Sequence, residues 1–285
     1  MIQSMTGYGK TVLQLSTKKI TVEVKSLNSK NLDLNVRMPS YYREKELNVR
    51  KKLATALVRG KVDFSIYIEN NGGEGSSKIN AAVVKEYMSQ LKTIVDSNEV
   101  ELLKMAIKLP DSLKIEREEL DEKEWGQIDL VIDETIEKIN QYRTDEGASM
   151  KVDFDLRISI IEKLLEKVIE IDPKRIEHVK DKLNKSIAEL ATKIDENRFE
   201  QELIYYIEKL DITEEKVRLK NHLDYFKKEL EQSISNGKKL GFITQEIGRE
   251  INTVGSKSNF AEMQKLVVQM KDELEKVKEQ NLNVL

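Results

Sequence analysis

Glu246 and Glu250 stand one helical turn apart inside the stretch 237–259, so their carboxylates project from one face of a helix. Two carboxylates at this spacing can share a hard divalent cation such as Mg²⁺ or Mn²⁺. Such an ion stabilises a phosphoryl transition state and generates hydroxide. Arg249 lies beside them, Thr253 is close to one turn further on, and Ile243, Ile247 and Ile251 form the adjacent apolar stripe. A solvated helix face with Glu–Arg pairs shows the same spacing, so the acid pair alone does not decide the chemistry. The run Asn252-Thr253-Val254-Gly255-Ser256-Lys257-Ser258-Asn259 gathers hydroxyls, amides and a lysine ahead of an expected helix start. It reads as a phosphate site, or as a simple cap made by Ser258 or Asn259. It lacks the spacing of a Walker loop.

A second row, Glu214, Arg218 and His222, recurs every four residues, with Glu215 close to the same stripe. An imidazole here can act as general acid or base, or as a metal ligand. It can equally be a half-buried histidine held at a helix interface. His222 and His178 are the only two histidines, and His178 lies in a charged run. No GxSxG elbow supports serine hydrolase chemistry. Arg143-Thr144-Asp145-Glu146-Gly147 suggests a local Arg143–Glu146 pair, with Gly147 permitting close approach of another backbone. In Met5-Thr6-Gly7-Tyr8-Gly9-Lys10, Tyr8 can stack on a base and Lys10 can meet a phosphate. The same glycines also suit a bulge or strand start.

The elements that must position these groups follow from periodicity. Alternation over Ile20–Val24, Leu32–Met38 and Val62–Ile68 predicts three half-buried strands, the first two joined by a hairpin loop or irregular crossing at 26–31. A helix near 41–58 is expected to turn Leu47, Ala54, Leu57 and Val58 inward and to end on a left-handed Gly60. The glycine-rich 70–77 reads as a loop. Helix is expected from about 79, with a less regular stretch at 97–125 and helix again from about 127 to 171. Asp172-Pro173 reads as an N-cap and first position of a new helix. Leu183, Ile187, Leu190 and Ile194 continue a stripe, followed by Leu203, Ile207 and Leu210. Asp211-Ile212-Thr213 marks a boundary. Leu219, Leu223, Phe226 and Leu230 form a seam that ends at Ser235-Asn236-Gly237, and a last helix from about 259 carries Met263, Leu266, Met270, Leu274 and Val277. Such narrow seams fit helical hairpins or coiled coils between chains, and also short helices packed in one domain.

Composition narrows the class. The 285 residues are 35% charged with three prolines, as expected of long helices with exposed flanks. No cysteine is present, which excludes disulfides and thiolate metal sites. No apolar run reaches a membrane span and no signal peptide is evident, so a cytoplasmic location without membrane contact is expected. The net charge of −3 conceals an asymmetry. Residues 1–70 hold 13 Lys and Arg against 6 Asp and Glu, net +7, leaving −10 on the remainder. A basic segment on an acidic protein is a footprint for a polyanion such as RNA, although exposed lysines also serve solubility.

Several motifs occur together and in one order: Ser4-Met5-Thr6-Gly7-Tyr8-Gly9, Glu23-Val24-Lys25-Ser26-Leu27-Asn28, Leu32-Asp33, Arg59-Gly60-Lys61-Val62, Arg143 to Gly147, Asp211 to Glu215 with Arg218 and His222, Gln245-Glu246 through Asn259, and Glu279-Gln280-Asn281-Leu282-Asn283. Over essentially its full length the chain resembles the YicC/YloC family of bacterial endoribonucleases. The resemblance implies metal-dependent RNA cleavage and a hexamer that grips RNA in a central channel. Carried across, it points to Glu214, Glu215, Arg218, His222, Gln245, Glu246, Arg249, Glu250, Asn252, Thr253, Ser256 and Lys257. This chain departs from the family pattern at Leu240-Gly241-Phe242, where an acid is usual, at Gly248, where asparagine is usual, and at its last residues, Val284-Leu285.

The expected architecture is therefore α+β. A basic strand-containing domain spans 1–150, a helical linker or arm spans 151–200, and a helical domain with the chemistry spans 201–285. The expected activity is hydrolysis of RNA phosphodiesters with Mn²⁺ or Mg²⁺ and no small-molecule cofactor. Glu214, Glu215, His222, Glu246 and Glu250 are the candidate metal ligands and, with Arg249, the candidate catalytic groups. Arg218, Gln245, Asn252, Thr253, Ser256 and Lys257 are candidate RNA ligands, together with Tyr8, Lys10, Lys25, Arg59 and Lys61 of the N-terminal part. The competing expectation is a non-catalytic RNA adaptor that delivers RNA to a separate nuclease.

Overall fold

The computed structural model describes residues 2–70, 77–95, 97–115, 121–189, 196–232 and 234–285. The three alternating runs form strands, and a fourth precedes them. These are β1 (Gly7–Gln14), β2 (Lys18–Leu27), β3 (Leu32–Arg37) and β4 (Gly60–Asn70). The sheet order is β1-β2-β4-β3, antiparallel except for the parallel β3–β4 pair. The link at 26–31 is thus a crossing and not a hairpin, because β4 lies between β2 and β3. A 3-10 turn (Ser40–Lys45) and α1 (Glu46–Leu57) carry the chain from β3 to β4.

The period-two pattern buries Ile20, Val22, Val24, Val62, Phe64 and Ile66 against α1 and the first part of α4 (Glu122–Glu189). The inward residues of α1 are Val49, Leu53 and Leu57, whereas Leu47 and Val58 are exposed. The sheet fixes this phase, since Leu57 must reach the core just before the chain turns into β4. Gly60 does take a positive φ of 126°, but Val58, with φ 53°, is the residue that ends the helix. The opposite sheet face carries exposed Tyr8, Val12 and Tyr67.

The stretch between 77 and 115 is more regular than its composition suggests. Strands β5 (Ser77–Ile79) and β6 (Leu113–Ile115) pair antiparallel around α2 (Ala81–Ile94) and α3 (Glu99–Ala106). Of the expected loop at 70–77, residues 71–76 lie outside the described residues, while Asn70 closes β4 and Ser77 opens β5.

The expected break at Asp172-Pro173 is absent. The helix α4 runs unbroken for 68 residues with Pro173 inside it. Proline removes one backbone hydrogen bond, freeing the carbonyl of Ile169, a half-exposed residue, to water. Asp172 is not a cap. Its buried carboxylate receives Arg175 Nε at 2.8 Å and Lys216 Nζ at 2.7 Å, which ties the helix to the element packed beside it. Of the stripe expected beyond it, Leu190 and Ile194 lie outside the described residues.

One apolar stripe on α4 serves both cores. Ile128, Ile132, Ile136 and Ile139 face the sheet, while Met150, Phe154, Ile158, Ile161, Leu165 and Val168 face a helical bundle. That bundle adds α6 (Thr213–Leu230), α7 (Gly237–Lys257) and α8 (Ala261–Asn281), with α5 (Glu196–Lys209) preceding it. The seam Leu219, Leu223, Phe226 and Leu230 is fully internal, as are Met263, Met270, Leu274 and Val277. These seams therefore pack within one chain. Ser235-Asn236-Gly237 does not cap α6, which stops at Leu230. Instead Asn236 caps the start of α7 by accepting from Lys239 N at 3.1 Å.

Three glycines of α7 have a packing reason. A Cβ on Gly241, Gly248 or Gly255 would lie 3.0, 3.2 and 3.0 Å from Asn281, Leu274 and Val267 respectively. Both series repeat every seven residues and run in opposite directions, so the glycines form one groove that admits α8 close to α7. Gly147 is tighter, since a Cβ there would collide with the Ile2 carbonyl. The close backbone approach expected at Gly147 is thus present. Gly147→Ala should destabilise by about 1–3 kcal/mol through overpacking against rigid backbone. Gly248→Ala should be neutral or stabilise by up to about 1 kcal/mol, because only a Leu274 methyl must yield while helix propensity improves. Thermal melts of the two variants should separate in that order, and an unchanged melting temperature for Gly147→Ala would remove the packing argument.

Candidate functional site

Two ion pairs set the register of the antiparallel α6–α7 hairpin. Glu215 near the start of α6 meets Lys257 at the end of α7 at 2.7 Å, and Glu229 meets Lys239 at 2.6 Å. Position 222 lies midway between Glu215 and Glu229 at heptad spacing, on the face of α6 that those pairs turn toward α7. The same logic places Glu250 one heptad before Lys257 and Glu246 one heptad after Lys239. His222 therefore sits level with the Glu246–Glu250 turn, on facing stripes of the two helices.

The burial of these groups differs. Glu250 is 5% exposed, and its carboxylate has no hydrogen-bond or ion-pair partner among the described residues. His222 is half-buried and likewise free of such partners. Glu246 is partly exposed, 4.0 Å from the exposed Arg249. The oxygens of Glu250 are not among the fully enclosed atoms without a partner, as Glu215 Oε2 is, so they still reach solvent along the seam. An unpaired carboxylate level with an imidazole is the most conspicuous chemistry on this hairpin.

The remaining expected site residues divide clearly. Glu214 pairs with Arg218 at 2.5 Å, both on the exposed flank of α6. Glu215 is buried and spends one oxygen on Lys257, while its other oxygen, Oε2, is buried without a partner. Gln245, Asn252 and Ser256 are exposed and Thr253 is half-buried; Thr253 and Ser256 hydroxyls return to carbonyls of their own helix. The run 252–257 is the last turns of α7 and not the approach to a helix start. It presents carbonyls, not N–H groups, which reverses the electrostatic argument for an anion there. Phe260, not Ser258 or Asn259, precedes α8, with no side-chain cap. Lys257 is a clasp, donating to Glu215 Oε1 at 2.7 Å and to the Asp211 carbonyl at 2.9 Å.

The same geometry tests the expected metal. Among the described residues, no three His, Asp or Glu side chains form a group that could hold an ion. Glu214 is paired with Arg218 and Glu215 is neutralised by Lys257, so the five candidate ligands do not converge within one chain. The donor set does not fit a three-ligand metal centre.

On the open face of the sheet, the N-terminal candidates do meet. Tyr8 OH donates to Glu23 at 3.3 Å, Lys10 and Lys25 flank the same carboxylate at 3.1 and 3.5 Å, and Lys25 Nζ lies 5.6 Å from the Tyr8 ring centre. Partial burial pushes the Glu23 pKa up, but the hydrogen bond and charge of Lys10 outweigh it and hold it below the usual carboxylate range. Lys61 is exposed on β4, and Tyr67, which sequence reasoning passed over, shares this outward face. Arg59 stands apart, donating Nε to the Ser29 carbonyl at 2.8 Å.

Arg143 is the other residue whose role the sequence misjudged. It makes no pair with Glu146, which instead accepts from Thr6 Oγ1 at 2.7 Å. The guanidinium is 1% exposed and reaches Leu57 O, Met5 O and Arg59 O at 3.2 to 3.3 Å and Ser26 Oγ at 2.5 Å. Burial pulls its pKa down to about 10, so it keeps its charge at neutral pH. The signal was present in the spacing, because Ile132, Ile136, Ile139 and Arg143 follow one helical stripe.

Residues 2–152 match the family described as "Endoribonuclease YicC-like, N-terminal region", and residues 168–285 match "Endoribonuclease YicC-like, C-terminal". The chain belongs to the YicC-like family. A protein of Clostridioides difficile (strain 630) named "Probable endoribonuclease YicC" is 33% identical over 293 residues, covering all of both chains. One of Haemophilus influenzae (strain ATCC 51907 / DSM 11121 / KW20 / Rd) with the same name is 26% identical over 288 residues, again over both full lengths. Among the described residues, no helix is long and apolar enough to cross a membrane.

Lys257→Met should lower stability by about 2 kcal/mol, as it strands the buried Glu215 charge. Combining it with Glu215→Leu should restore most of the loss, since an apolar pair replaces a buried ion pair well. Urea denaturation of the single and double variants reads this directly; equal loss in both would mean that the clasp acts through packing alone.

Proposed function

We propose that this chain is an endoribonuclease whose reacting groups sit on the α6–α7 hairpin. The observation that carries this reading is Glu250, buried and without a partner, level with the half-buried His222. The names of the family and of the full-length relatives support an RNA substrate. A carboxylate and an imidazole on facing helices can divide one proton transfer between them. One takes the proton of the attacking oxygen while the other gives a proton to the oxygen that leaves phosphorus. Arg249 and Arg218, both exposed, flank this level and suit the phosphate. The open sheet face with Tyr8, Lys10, Lys25 and Lys61 suits single-stranded RNA, by stacking and phosphate contact.

A divalent ion, if bound, would stabilise charge on phosphorus, while the proton transfers fall to Glu250 and His222. Homo-oligomerisation, a hexamer by family resemblance, belongs to the same proposal. It is supported by Ile204, Tyr205 and Tyr206, exposed on α5. An adaptor that binds RNA and passes it on uncut is the second reading, supported by the exposed Tyr8, Lys10 and Lys25, which lie on the sheet face and not on the hairpin that carries the reacting groups.

The test is cleavage of labelled RNA by highly purified protein, with Mn²⁺ or Mg²⁺ and with chelator. Glu250→Gln and His222→Ala should each slow cleavage by about 10²–10⁴ while leaving most RNA binding intact. Unchanged cleavage in both sinks the assignment, and wild-type binding with no cleavage establishes the adaptor. Tyr8→Ala and Lys25→Glu should weaken binding, and only Lys25→Glu should also flatten its dependence on salt, since phosphate contacts release counterions. Salt-independent binding by the parent protein would remove the sheet face from the interface.

A further inference from the structure

Between the sheet and the bundle lies a cavity of about 470 Å³ that none of the expected site residues except Arg59 touches. This is within the range of small-ligand pockets. Its apolar walls are Val58, Ile234 and Leu285, and Arg59, Lys238 and Gln3 complete it. Val58 and Ile234 are 68% and 79% exposed, so their apolar faces are open to an occupant.

The charged side chains at its rim, Arg59 and Lys238, are both cationic, and Gln3, Ser235 and Asn236 add neutral polar groups. Among the described residues, no aspartate or glutamate side chain lines the cavity. Lys238 has no hydrogen-bond or ion-pair partner among the described residues. Arg59 spends only Nε, on Ser29, and leaves both terminal nitrogens available. Among the described residues, the α-carboxylate of Leu285 is the one anionic group at the rim, and Gly237 N and Ser235 Oγ each donate to its oxygen at 3.0 Å, which holds it on the side of α7. The Gln3 amide donates Nε2 to Thr144 and keeps its oxygen for a further donor. An occupant therefore needs a flat or compact apolar body, a hydrogen-bonding edge and an anionic group within reach of two cations. A phosphorylated nucleoside has all three.

We propose that this cavity receives one unstacked nucleotide of a bound RNA strand, with its base against Val58, Ile234 and Leu285 and its phosphate on Arg59 and Lys238. The proposal rests on RNA being the substrate but not on the hairpin chemistry. The pocket lies at the opposite end of α7 from Lys257, so it acts as an anchor for the strand and not as a place of reaction.

The probe is a short single-stranded 2′-O-methyl RNA with one 2-aminopurine moved along it, its integrity checked on a gel. Among the described residues, no aromatic ring lines the cavity, so the fluorescent base should brighten severalfold at one strand position on binding to the full chain. Ile234→Asp should abolish the rise with little change in strand affinity, and Lys238→Glu should weaken binding severalfold. Both residues are exposed, and circular dichroism should confirm that both variants fold. A strand that binds without brightening at any position, or a rise that survives Ile234→Asp, overturns the pocket and leaves the RNA reading standing. Tighter binding of AMP than of the strand would assign the cavity to a free nucleotide and likewise overturn the proposal. Failure of the strand to bind at all removes both.

Discussion

A single buried guanidinium ties the long helix α4 to the sheet half of this protein. Arg143 stands on α4 where the stripe that faces the sheet gives way to the stripe that faces the bundle. Its partners are backbone carbonyls of the N-terminal segment, the end of α1 and the start of β4, with the Ser26 hydroxyl of β2. No carboxylate neutralises it, and its Nε has no partner. The charge is compensated by dipoles alone, each of which must be placed well to offset desolvation. The turn Leu57-Val58-Arg59 is held so tightly that Val58, a β-branched residue, accepts a positive φ. One polar group thus specifies the relative placement of segments far apart in sequence.

A second set of contacts closes the same junction from the other side. Residues 282–285 run between the N-terminal segment and the start of α7. Met5 N donates to Asn283 O, Leu285 N to Gln3 O, and Asn28 Nδ2 to Leu282 O. Short hydrogen-bonded segments of this kind bring little apolar burial, so their contribution is directional. They fix where the first turn of α7 lies and, through the rigid helix, where Glu246 and Glu250 lie.

Elements whose burial follows a simple period were legible in the sequence. The strands around Val22 and Phe64 and the seams of α6 and α8 came out as their alternation and 3.6-residue spacing required, because one buried face writes itself into every second or every third and fourth residue. Pro173 was not legible. Its local preference is to open a helix, and what overrides it is Lys216, distant in sequence, on the Asp172 carboxylate. Lys257 misled for the same reason, since a lysine among hydroxyls looks the same whether the backbone beside it offers N–H groups or carbonyls. For the hairpin, the residue types were readable but not the pairing. Only the Glu215–Lys257 and Glu229–Lys239 contacts show which turn His222 faces.

The groove of Gly241, Gly248 and Gly255 limits how α7 can move. Each glycine seats one α8 side chain, and between the seats stand bulkier residues. Sliding α7 along its axis by less than a full repeat would drive Asn281, Leu274 and Val267 into those ridges simultaneously. The helix therefore behaves as a toothed rack. It can tilt together with α8 as one body, or leave the groove altogether, but it cannot creep. Any opening of the α6–α7 seam to admit a nucleic acid must come from α6, and it must break the Glu215–Lys257 and Glu229–Lys239 pairs together with the apolar packing of Leu219, Leu223 and Phe226.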